Sequence, residues 1–298
     1  MATPLFNGLN DCSGYGTIVR SRPSTVNEDP VIPLVTPPKP ERLVPAVERA
    51  ARVMDALASS RQPLTLAEIS KRLTLPRSSV HGLLATLVAL ELARRHDDAS
   101  FTIGPKALQW AGAYGRQSDV LRAFELHADR IAALDTETVM LAVLEGPDVV
   151  YLACRQGSRA LAVNFRVGGR FPAPCTSSGK AMLACLSDRV LRERLGQAPL
   201  PRLTRHGVGS AAVLLRQLQS VRRQGFAIDD EETAEGMQCF GAAIHDASAG
   251  DANAAVAVSV IKAGLSAARR EELIAGIQAL ASTISIELGA PTPDSQPS

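Results

Sequence analysis

The chain of 298 residues lacks any paired cysteine pattern. Its five cysteines, Cys12, Cys154, Cys175, Cys185 and Cys239, are odd in number and widely spaced, with no CxxC pair and no Cys/His ligand spacing. This argues against a disulfide framework and a thiolate metal site. The thiols read as reduced, small buried hydrophobes. Long apolar runs are missing too: none reaches the ~18 residues of a membrane span. The N-terminus has no basic start followed by an apolar stretch, so no signal peptide is expected. An excess of either charge is nearly absent, with 32 Lys and Arg against 30 Asp and Glu and a net charge of +2. That balance alone does not suggest a nucleic-acid partner. Its distribution is mildly suggestive: residues 41–110 hold ten basic against seven acidic side chains, and residues 111–298 hold nineteen against twenty.

What is present is an apolar fraction of 46%, enough for a sizeable core, and room for two domains. Residues 1–40 are rich in Pro, Gly, Ser, Thr and Asn without apolar periodicity, and read as a disordered extension; the tail 289–298 reads the same way. Order begins near Glu41. Val47, Ala50, Met54 and Leu57 recur at helical spacing. Thr65 and Glu68 form a T-x-x-E capping box that opens a second helix. After the turn "LTLP", Pro76 suits the first position of a third helix. There Val80, Leu83, Leu84 and Leu87 make one apolar face, opposite Ser78, His81, Gly82 and Ala85, with Ser79 and Thr86 at the edge. "LARRHDDASFTIGP" reads as a small hairpin carrying Arg94 and Arg95. Three helices and a hairpin make a winged helix-turn-helix. Its third helix has a small, polar outer face of the kind that enters a major groove.

Residues 105–136 read as a helical linker with plausible dimer contacts. From 137 to 288 the chain is α+β. Strands are expected in 138–155, 159–168 and three segments after Gly225, with helices between them and a long closing helix. Ser177, Ser178 and Gly179 open a helix whose free N–H groups suit an anion, unless Ser177 is simply its cap.

Three segments, "PLTLAEISKRLTLPRSSVHGLLATLVALELARR", "FPAPCTSSGKAML" and "VRRQGFAIDDEETAEGMQCFGAAIHD", resemble the IclR-type transcriptional regulators, in order and over about residues 42–288. The resemblance implies a GAF-like antiparallel-sheet effector domain behind the winged domain of residues 41–104. It implies a pocket with Ser177, Ser178, Asp229, Cys239 and Ser259 as polar lining, and Ala160, Val163 and Phe171 as apolar wall. Ile261 stands where a second pocket serine is common, Gly82 where a basic residue is usual, and Thr74 where the turn often has glycine. Arg77, Ser78, Ser79, His81, Thr86, Arg94 and Arg95 are then the expected DNA contacts.

The expected protein is a cytoplasmic, ligand-responsive regulator that binds double-stranded operator DNA as a dimer or tetramer. It would respond to a small organic acid and need no cofactor, metal or membrane. The carboxylate would sit on Ser177 and Ser178, and Asp229 would accept a hydrogen bond from a hydroxyl of the ligand. The alternative is an enzyme with a docking module. A phosphate loop fails at Pro174 and Ala181. The run Asp229–Glu232 reads as a solvated turn rather than a cation site, and Lys180 as a solvated or structural cation. A nucleophilic pairing of Cys175 or Cys239 with His206 or His245 is a minor reading.

Overall fold

The computed structural model describes residues 43–158, 165–195, 199–247 and 252–290. Helix α1 (Pro45–Ser59) buries Val53, Ala56 and Leu57. Val47 leaves the expected apolar face and stands 67% exposed, one turn N-terminal to the residues that meet the core. Strand β1 (Leu64–Thr65) runs directly into α2 (Leu66–Leu73). The capping box forms as read: Thr65 accepts from the Glu68 amide, and Glu68 accepts from the Thr65 amide at 2.7 Å. Thr74 ends α2 in the left-handed conformation, at φ 53° and ψ 43°. Its β-branched side chain makes that conformation costly. The turn is held by the Leu75 amide on the Ser70 carbonyl and by the Ser70 hydroxyl on the Leu75 carbonyl, at 2.6 Å.

Helix α3 (Arg77–Ala89) starts one residue later than expected, with Pro76 as the cap position. It buries Val80, Leu84 and Leu87. Strands β2 (Ala93–Arg95) and β3 (Ser100–Ile103) form the wing, and β1 adds to β3 as a third strand. A two-residue strand carries no periodicity, so β1 has no sequence signal. Helix α4 (Lys106–Gln117) buries nothing. Helix α5 (Asp119–His127) is capped by Ser118, and the rest of the expected helical linker breaks up: Ala128–Arg130 and Ala132–Leu134 are 3-10 turns on either side of an extended Ile131.

The second domain is one antiparallel sheet of β4 (Thr138–Glu145), β5 (Asp148–Arg155), β6 (Arg170–Pro172), β7 (Ala227–Asp230), β8 (Met237–Ile244) and β9 (Ala254–Ile261), in the order β6-β5-β4-β9-β8-β7. The expected strand at 159–168 is not seen where it can be described. Phe165–Gly168 is loop and turn, with Gly168 at φ 81°, and pairing starts only at Arg170. Strand alternation sends two apolar sets to opposite faces. Met140, Ala142, Tyr151, Ala255 and Ala257 pack under α6 (Ser177–Cys185), α7 (Asp188–Leu195) and α8 (Ala211–Gln224). Val139, Leu141, Val256 and Val258 pack on α5 and the long α9 (Ala267–Glu287). Among the described residues no helix is long and apolar enough to cross a membrane.

Candidate effector and DNA-binding sites

On α3, Arg77, Ser78, His81 and Thr86 are exposed and Ser79 is half-buried. The helix start has no acidic residue in its first turn, so its free N–H groups and Arg77 present one positive end. The Thr86 hydroxyl donates to the Gly82 carbonyl at 3.0 Å, which leaves its lone pairs and methyl for contacts outside the helix. A Cβ at Gly82 would meet nothing within 4 Å, so the outer face is open there. Arg94 and Arg95 are both exposed. Arg94 pairs with Thr102, whereas Arg95 pairs with the buried Phe101, so the two leave opposite faces of β2.

In the second domain four polar residues line up across four adjacent strands. Thr138 is opposite Ser259, Ser259 opposite Cys239, and Cys239 opposite Asp229. All four share the face under α6, and all are buried. Cys239 and Ser259 are in hydrogen-bond contact at 3.2 Å. One oxygen of Asp229 accepts from the Glu232 and Thr233 amides, at 2.7 and 3.1 Å. Burial raises the Asp229 carboxyl above the ordinary range, against the opposing pull of Thr233, Lys180 and those amides. Burial and then Asp229 push the Cys239 thiol well up.

Thr176, not Ser177, caps α6: its hydroxyl accepts from the Gly179 amide at 2.9 Å. Ser177 and Ser178 are therefore the first two helical residues, both buried. The helix start rests on two glycines. A Cβ at Gly179 would fall 2.2 Å from the Ala173 carbonyl oxygen, and one at Gly241 would fall 2.6 Å from the Ser177 carbonyl carbon. The Tyr151 hydroxyl lies near Ser178, Cys239 and Asp229; burial pushes its titration well up. Tyr151, Phe165 and Phe171 form an aromatic wall with ring centroids 5.2 to 6.3 Å apart.

Several expectations change. Ile261 shares the Ser259 face and sits at the strand end, 41% exposed. Ala160 and Val163 lie outside the described residues. Of the two roles expected for Lys180 the structural one holds: it is fully buried, its ammonium 2.6 Å from Glu232. The run Asp229–Glu232 is no solvated turn: Asp229 binds backbone, Glu232 pairs with Lys180, and Asp230 and Glu231 pair with Lys262 at 2.9 and 2.5 Å. Cys175 donates to the Pro201 carbonyl and its thiol is pushed up to about 11 by burial, the reverse of an activated thiolate. Tyr151, Thr138 and the Lys180–Glu232 pair carried no sequence signal, because each owes its place to sheet register or burial; Thr176 carried a local one, a threonine three residues before the Gly179 amide it caps.

Two family models match in the order of these domains: the IclR helix-turn-helix domain over residues 46–97 and the bacterial transcriptional regulator IclR C-terminal domain over residues 112–286. The chain belongs to the IclR family. It is therefore a DNA-binding transcriptional regulator rather than an enzyme. Among IclR-family relatives, the Pca regulon regulatory protein of Pseudomonas putida is 35% identical over 215 residues, 72% of this chain and 73% of that one. The structure of the Agobacterium tumefaciens repressor BlcR has 39% identity and a TM-score of 0.55, covering 84% of this chain and 99% of that one. An IclR homolog from Microbacterium hydrocarbonoxydans complexed with 4-hydroxybenzoate has 25% identity and a TM-score of 0.69, covering 82% and 98%.

Proposed function

We propose that this IclR-family regulator binds operator DNA through Arg77, Ser78, Ser79, His81, Thr86, Arg94 and Arg95, and that a small organic acid bound beside α6 controls it. The observation that carries the effector reading is the buried start of α6, pressed on Gly241 beside the row of Asp229, Cys239 and Ser259. Unsatisfied helix N–H groups and the Ser177 and Ser178 hydroxyls are donors for a carboxylate. Asp229 accepts a hydrogen bond from a hydroxyl of the ligand, and the upward push of burial on its carboxyl eases the repulsion towards a bound acid. Phe171, Tyr151 and Phe165 supply apolar wall, and Ala160 and Val163 are candidates for the rest of it. The 4-hydroxybenzoate of the Microbacterium homolog fits this chemistry.

The DNA-binding domain spans about 41–104, the linker 105–136 and the effector domain 137–288. The protein acts in the cytoplasm as a dimer or higher assembly. Trp110 and Tyr114, one turn apart on α4, are 56% and 50% exposed, an aromatic pair suited to a second copy. Calorimetric titration of the full chain with a panel of small carboxylates tests the reading. Saturable binding that Ser178→Ala weakens and that shifts operator affinity is expected; no binding by any acid would remove the basis for the site.

A further inference from the structure

Thr138 is the member of the polar row that the resemblance does not assign. It stands at the start of β4, in register with Ser259 and on the same face, only 1% exposed. Its hydroxyl has no hydrogen-bond partner among the described residues. The other three members of the row are engaged: Ser259 with Cys239, and Asp229 with two amides. A buried hydroxyl left unpaired in a strand is unfavourable, and valine would fill the same volume without that cost. The row runs perpendicular to the strands. The α6 start lies over β8, and β4 is two strands away, about 10 Å at ~4.8 Å per strand spacing. A carboxylate on Ser177 and Ser178 thus leaves Thr138 within reach only of the far end of its ligand.

We propose that Thr138 is the specificity-determining residue at the distal end of the effector site. It selects acids that carry a second hydrogen-bonding group, hydroxyl or carbonyl, several bonds from the carboxylate. This rests on the effector reading above and refines its ligand class to elongated, bifunctional acids.

The test uses the full chain and two matched pairs of probes, benzoate with 4-hydroxybenzoate and hexanoate with 6-hydroxyhexanoate. In at least one pair the hydroxylated acid binds the wild type about tenfold more tightly. Thr138→Val abolishes that preference and leaves the plain acid unchanged, while Thr138→Ser retains it. Thr138→Val also raises the Tm of the free protein. Equal losses for both acids, a preserved preference, or a lowered Tm each overturn the proposal. If no carboxylate of the wider panel binds the wild type, the effector reading fails and this inference falls with it; if others bind but none of these four does, only the role of Thr138 is overturned. Plain acids that bind Ser178-dependently without any hydroxyl preference sink only the role of Thr138.

Discussion

Gly241 lies so close under Ser177 that a Cβ on it would fall 2.6 Å from the Ser177 carbonyl carbon. The first turn of α6 is set onto β8 by the absence of one side chain. Gly241→Ala must push the helix start off the sheet. Overpacking of this kind costs roughly 1–3 kcal/mol. We expect a lower Tm and a loss of carboxylate binding that exceeds the loss in operator binding. A variant with unchanged Tm and unchanged carboxylate affinity would show that the contact is soft.

Burial raises the carboxyls of both Asp229 and Glu232, and Asp229 is the one on the row beside α6. Its folded carboxyl titrates above the unfolded value, chiefly from burial, so the native state holds a proton that the unfolded chain has released. Its contribution to stability is therefore lost as pH rises from the unfolded value through the folded one. The neighbouring charges are Lys180 and Glu232, with the neutral Tyr151 and Cys239 alongside. Affinity for a carboxylate falls over the same rise, as neutral Asp229 becomes an anion. Asp229→Asn keeps the acceptor for the Glu232 and Thr233 amides and should flatten both profiles. Calorimetry and thermal melts across pH check this; an equally steep affinity profile in the variant would place the titration elsewhere.

Arg77→Ala and Arg94→Ala should each weaken operator binding and reduce its salt slope by about one, since each removes one phosphate-scale cation. Because Arg94 and Arg95 leave opposite faces of β2, their alanine variants should differ in effect. Anisotropy titrations at several salt concentrations decide it. Unchanged slopes for both Arg77→Ala and Arg94→Ala would dismiss these two residues as phosphate contacts.

Gly82→Arg meets no steric obstacle within the protein. It should raise helix stability by up to ~1 kcal/mol and strengthen DNA binding, non-specific sequence included. Loss of specific binding by a folded variant would instead show that DNA backbone approaches Gly82 closely.

Thr74→Gly relieves a left-handed, β-branched residue at the end of α2. A gain of about 1 kcal/mol is expected, read as a higher denaturant midpoint with the operator preference retained. A destabilised variant would mean that the Thr74 side chain makes a compensating contact.

The local part of this protein was written in its sequence. Thr65 and Glu68 cap α2 through atoms three residues apart, Gly225 ends α8 at φ 75°, and the leucine spacing of α3 chose its buried face. These depend on neighbours within a turn, so periodicity and residue type suffice. Site membership was only partly legible. Ser177, Asp229, Cys239 and Ser259 came through resemblance. Tertiary structure alone decided the rest. Register across four strands aligned Thr138 with Asp229, 91 positions along the chain, and burial raised the Asp229 carboxyl. It also turned Lys180 inward onto Glu232. Register and dielectric belong to the assembled sheet and its helices, and no single segment carries them.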